Sequence, residues 1–192
     1  MFKIKDRLLN DAIVIESFSA ADNRGSFVKC FEKNAFHSIG IDFSVTETFL
    51  STSSKNVIRG MHFQLNAPQA KLVSVSKGSI FDVVIDLRKG STAYGKWAGV
   101  ELTESNHLSL LIPRGFAHGF LSLEDDTIVL YQCDGKYDKE TDTGIKFDDP
   151  DVGIKWDIFG IDKFICSNRD LSLPTLKEFE TNMKKIDNIG GI

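Results

Sequence analysis

The chain has 192 residues, 42% hydrophobic and 26% charged, with 15 Gly and only 4 Pro, a balance that excludes disorder, collagen-like repeats and coiled coil. One globular domain over residues 1–192 is expected, with apolar mass enough for a core. Lys and Arg number 23 against 27 for Asp and Glu, a formal net charge of −4 without a long cationic run, so nucleic acid is not an expected partner.

From about residue 12 to 135 the hydrophobic period is two rather than 3.6. AIVIESF and SFVKCF come first, then EKNAFHSIG as a short helix, then FSVTETFLS, AKLVSVSKG, SIFDVVIDLR, KWAGVELT, HLSLLI, HGFLSL and TIVLYQCD. Gly, Asn, Asp or Ser clusters separate them. In SIFDVVIDLR, Phe81, Val83, Ile85 and Leu87 form an apolar face, while Ile80, Asp82, Val84 and Asp86 form a mixed one. Many short strands at this spacing predict an all-β sandwich, barrel or jelly roll. GKYDKETDTGIKFDDPDVG reads as a long connection, and PTLKEFETNMKKI as a packing helix with Leu176, Phe179 and Met183 on one face.

No apolar run nears the ~20 residues of a bilayer-crossing helix, and MFKIKDRLLNDAIVIESF mixes charge throughout, unlike a signal peptide. A cytoplasmic protein with no membrane partner is expected. Cys30, Cys133 and Cys166 are odd in number and include no CxxC pair, which predicts reduced thiols that pack as small hydrophobes.

Strand logic does not account for Arg59 and His62 in RGMHFQ, Lys71 in AKLV, His118 in IPRGFAHGF, or Tyr131 in VLYQC. Inward positions of a β-barrel can line a ligand cavity, so these side chains and Asp82 are expected to share one. His37 and His107 fall in a helix and a turn and read as surface residues. PRGFAH has the P-x-G-x-x-H spacing of half a metal site, but RGMHFQ supplies one His with no second imidazole and no carboxylate close behind. Two imidazoles alone make a poor metal site, so no metal and no cofactor are expected.

The same residues suit proton transfer at carbon. A His can take a proton from a carbon acidified by a neighbouring carbonyl if the enolate is stabilised, which a Lys ammonium does. Tyr131 can return a proton, and Arg59 offers a fork for a phosphate.

Taken in order, DNRGSF, RGMHFQ, QAKLVSVSKGSIFDVVIDLRKGS, YGKW, IPRGFAHGF, VLYQCD, DDPDVGIKW and SNRDLSLP resemble the dTDP-4-dehydrorhamnose 3,5-epimerases over roughly residues 10 to 176. The resemblance implies a dimeric cupin-type jelly roll that inverts carbons beside the C4 ketone of a nucleotide-linked 4-keto-6-deoxy sugar without metal. It also assigns roles: His62 as base, Asp170 as the carboxylate behind it, Tyr131 as general acid, Lys71 beside the keto oxygen and Arg59 at the diphosphate. His118 and Asp82 match residues lining the pocket, and Arg24 one that reaches the nucleotide of the neighbouring subunit.

Four nucleotide- or sugar-side positions depart from the family pattern. Lys29 stands in place of a carboxylate, Glu47 and Phe49 in place of Gln and Asn, and a tandem tyrosine pair is reduced to Lys136 and Tyr137. Such exchanges invert donor and acceptor sense, so a guanosine-linked hexose or heptose is preferred beside the dTDP-linked one. A metal-dependent cupin isomerase or oxygenase, and a non-catalytic sugar-binding jelly roll, are the alternative classes.

Overall fold

The computed structural model describes residues 1–66, 68–161 and 163–189, with side chains as far as Met183. In chain order the elements are β1 (Lys3–Leu8), β2 (Ala12–Glu16), β3 (Phe18–Asp22), β4 (Gly25–Lys29), α1 (Lys33–Ser38), β5 (Glu47–Ser53), β6 (Ile58–Gln64), β7 (Ala70–Lys77) and β8 (Ser79–Asp86). Then follow β9 (Trp97–Thr103), β10 (Leu108–Ile112), β11 (Phe116–Ser122), β12 (Thr127–Asp134), β13 (Asp142–Gly144), α2 (Asn168–Leu171) and α3 (Leu176–Ile189).

A six-stranded sheet, β1-β2-β10-β7-β12-β5, faces a five-stranded one, β13-β6-β11-β8-β9, in a cupin-type jelly roll. Between them lies a core built from Val14, Val73, Ile80, Val84, Leu110, Phe120 and Val129. The alternation of β12 explains its place: Thr127, Val129, Tyr131 and Cys133 are buried inward, while Ile128, Leu130, Gln132 and Asp134 are half-buried on the other side.

Strand β8 is buried at every position. Its apolar face, Phe81, Val83 and Ile85, packs against Ile145, Phe147, Trp156 and Leu176 of the C-terminal segment. Its mixed face is therefore the one that carries Asp82 inward. That inverts the simple rule that the greasy face looks into the barrel, because a second core covers the outside.

Strands β3 and β4 form a separate hairpin that leaves Phe18 and Phe27 exposed. The sequence reading ran AIVIESF through Phe18 as one strand, whereas the chain breaks at Ser17 and enters the hairpin. It also missed β1, whose residues are mostly exposed and which is held by antiparallel pairing with β2 rather than by an apolar face. Within the long connection, Asp142–Gly144 adds β13 to the edge of β6. The two expected helices form, and His37 on α1 is exposed. His107 corrects the surface reading: it is half-buried, in a left-handed turn with φ of 52°. All three cysteines are free thiols, with Cys133 buried and Cys30 and Cys166 half-buried. Among the described residues no helix is long and apolar enough to cross a membrane.

Candidate active site

A cavity of about 540 Å³ opens between the sheets, lined by His62, Lys71, His118 and Tyr131 together with Arg59, Phe49 and Asp170. It is built where β6 and β11 run antiparallel and place His62 directly opposite His118. The two backbones approach closely: a Cβ on Gly60, at φ +132°, would lie 2.5 Å from the Cα of Gly119. Only glycines permit that approach beside the histidines.

Each imidazole has its own carboxylate. His62 Nε2 lies 2.7 Å from Asp170 Oδ1, and His118 Nε2 lies 2.6 Å from Asp82 Oδ1. A carboxylate that accepts at Nε2 keeps the proton there and leaves the lone pair of His62 on Nδ1. Asp170 is fixed from three sides. Its Oδ2 accepts from the Gly60 N–H at 3.2 Å, its own N–H donates to the Ser167 hydroxyl at 3.1 Å, and Ser167 caps the short helix α2. Burial works against its negative charge, but the His62, Gly60 and Ser167 contacts outweigh it and hold the carboxyl below its usual range.

Tyr131 reaches the cavity from β12, in the opposite sheet. Burial, and then the nearby Asp82 charge, push its phenol well above the ordinary tyrosine value, so it stays protonated across the physiological range. Lys71 arrives from β7. Burial pulls its ammonium down from the usual lysine value, opposed by Cys133, Asp142, Asp82 and Glu47. At the rim the Arg59 guanidinium donates to Ser53 Oγ and to the Thr52 carbonyl, each at 3.0 Å. Neither acceptor is charged, so its positive charge remains available to an anion.

The structure thus gathers His62, Asp170, Tyr131, Lys71, Arg59, His118 and Phe49 around one space, with Asp82 directly behind His118. Other expected residues lie apart. Arg24 is exposed on the hairpin and doubly bonded to Asp22 at 3.1 and 2.6 Å. Lys29 pairs with Glu32 at 3.7 Å, Glu47 accepts from Gln69 at 3.2 Å, and the Tyr137 hydroxyl donates to Asp142 at 3.0 Å. Sequence reasoning missed Ser51 and Arg169. Arg169 lines the cavity while it donates to Asp142 at 2.7 Å, and Ser51 places a buried hydroxyl on the cavity wall. Their positions in ETFLS and SNRD, two residues from Phe49 and one from Asp170, are the signal that could have found them. Among the described residues no three His, Cys, Asp or Glu side chains converge as metal ligands.

Comparison with known proteins identifies the family. The family model described as dTDP-4-dehydrorhamnose 3,5-epimerase matches residues 6–178. An enzyme of that description from Methanothermobacter thermautotrophicus is 44% identical over 177 residues, covering 92% of this chain and 96% of the relative. A crystal structure of the Bacillus anthracis enzyme with TDP and PPi bound superposes with a TM-score of 0.87 at 36% identity, covering 92% of this chain and all of the other. The Legionella pneumophila enzyme in complex with dTDP-4-keto-L-rhamnose gives 0.89 at 32% identity, covering 95% and 97%. With both histidine–carboxylate pairs and the opposing tyrosine in one jelly-roll cavity, the chain belongs to the dTDP-4-dehydrorhamnose 3,5-epimerase family and is an isomerase of nucleotide sugars.

Proposed function

We propose that the chain inverts C3, C5 or both in a dTDP-linked 4-keto-6-deoxy sugar, with His62 as base and Tyr131 as acid. The observation that carries this reading is the His62–Asp170 contact of 2.7 Å in a cavity that Tyr131 enters from the facing sheet. His62 Nδ1 takes the proton from the carbon beside the C4 ketone, and the C–H electron pair becomes the enolate. The imidazolium so formed is stabilised by Asp170. The enolate oxygen, negative only after that step, is met by the Lys71 ammonium. The Tyr131 phenol gives its proton to the opposite face of the carbon, the enolate collapses to the ketone, and the configuration is inverted. Arg59 holds the diphosphate, and the His118–Asp82 pair, with the proton kept on Nε2, leaves His118 Nδ1 as a fixed acceptor for a sugar hydroxyl.

The departures in sequence gave guanosine a claim as the base. Lys29 and Glu47 pair locally outside the cavity lining and leave that claim to Phe49 alone, while the relatives are named for dTDP sugars. We therefore infer thymidine. A cytoplasmic, single-domain protein is part of the same reading, and a homodimer is supported by the exposed hairpin with Phe18, Phe27 and Arg24.

The test is solvent deuterium incorporation, followed by NMR, with dTDP-linked and GDP-linked 4-keto-6-deoxy hexoses. Exchange at C3 or C5 with inversion is expected, with kcat/KM more than about tenfold higher on the dTDP sugar, or ~1.4 kcal/mol in transition-state binding. A preference of that size for GDP would overturn the thymidine assignment, and no exchange on either would overturn the activity.

A further inference from the structure

The inward face of edge strand β5 reads Glu47, Phe49, Ser51 and Ser53, three polar positions and one aromatic. That aromatic is paired directly across the ladder with Tyr131. The two rings stack with centroids 4.7 Å apart and planes within 13°, and a second ring beside the phenol, that of His118, meets it at 69° and 6.0 Å. Phe49 is 43% exposed at the cavity, whereas Tyr131 is 7% exposed. The phenylalanine is the cover and the tyrosine is what it covers.

A phenol oxygen sits at the far end of a ring hinged at Cα–Cβ, so rotation there sweeps it across the cavity. A stacked ring on one face, with the imidazole set across it at 69°, restricts that rotation. Misplacement of a reacting group by about 1 Å can cost ~100-fold in rate. We infer that Phe49 is a positioning residue for Tyr131: it holds the phenol where it reaches the inverted face of the enolate, and so sets how each deprotonated sugar divides between return and inversion. This rests on the reading of Tyr131 as the acid, and it differs from a direct contact between Phe49 and the nucleotide or sugar.

The experiment runs the enzyme in D₂O with the dTDP-linked 4-keto-6-deoxy hexose and counts deuterium in recovered substrate against inverted product. Phe49→Leu, which keeps apolar bulk without a flat face, is expected to cut inverted product about tenfold, with exchange into substrate and KM each within about twofold of wild type. Phe49→Tyr restores the stack and is expected to restore the wild-type ratio. Phe49→Ile, a good strand former, replaces Phe49→Leu if the latter does not fold. An unchanged ratio in the aliphatic variants, or a rise in KM alone, overturns the inference. Tyr131→Phe is run beside them: if it blocks inversion while Phe49→Leu behaves as wild type, only the positioning role falls. If Tyr131→Phe inverts at the wild-type rate, the acid assignment falls and takes this inference with it.

Discussion

The two walls of the cavity are made differently. The wall of β6, β8, β11 and α2 is braced throughout: Asp82 and Asp170 are buried, each bonded to an imidazole, and Gly60 and Gly119 let two backbones touch beside them. The exposed margin of the molecule, edge strand β5 of the opposite wall and the β3–β4 hairpin outside the cavity lining, is built otherwise. Its charged residues bond to local neighbours, Arg24 to Asp22, Lys29 to Glu32 and Glu47 to Gln69. Proton abstraction needs a base whose tautomer and direction do not vary, and buried strands provide that. All the departures from the family pattern fall on this second margin or in the loop after β12.

The braced wall is where one substitution should do the most damage. Asp170→Asn keeps the shape but removes the acceptor that fixes the His62 proton on Nε2, and loss of this kind in related dyads costs several orders of magnitude. A fall of about 100-fold or more in kcat is expected in a steady-state assay, with KM changed little. A rate within about threefold of wild type would show that the carboxylate does not orient the base. The same variant has a stability signature. A carboxyl held below its ordinary value contributes stability that is present above about pH 4 and is lost as pH falls through the folded value, so Asp170→Asn should flatten that acid limb in thermal unfolding.

A smaller effect is expected at Lys71, between the walls. Burial lowers its ammonium below the usual lysine value, so kcat/KM should decline as pH rises through that lowered value. Lys71→Arg keeps a charge that does not titrate, and its residual activity should lack the decline. A decline of the same midpoint in both enzymes would assign the limb to another group.

Much of the cavity was legible in the sequence. His62, His118, Lys71 and Tyr131 stand out because each interrupts an alternating apolar pattern, and a polar residue in such a strand needs a partner. Asp82 was read onto the mixed face of its strand, though the reason that face looks inward lies in residues 145–176, which cover the other. Asp170 was found by resemblance alone. It lies 108 residues from its partner, on a helix of four residues with no periodicity to read, and only the Ser167 cap marks that turn. The exposed strands were the least legible: β1 and the hairpin carry no buried face, so the pattern that identifies strands is missing there. Phe49 was read as a contact for substrate, whereas its stacking partner on β12 appears only once the strand register is known.

The central claim is that His62, and no other group in the cavity, removes the proton from carbon. His62→Asn retains a side chain able to hydrogen-bond Asp170 and so separates the base from the scaffold. In D₂O with the dTDP-linked 4-keto-6-deoxy hexose, NMR of the recovered sugar should show no deuterium at C3 or C5 above the uncatalysed background, while thermal unfolding stays close to that of wild type. Deuterium entering either carbon at the wild-type rate would contradict the account.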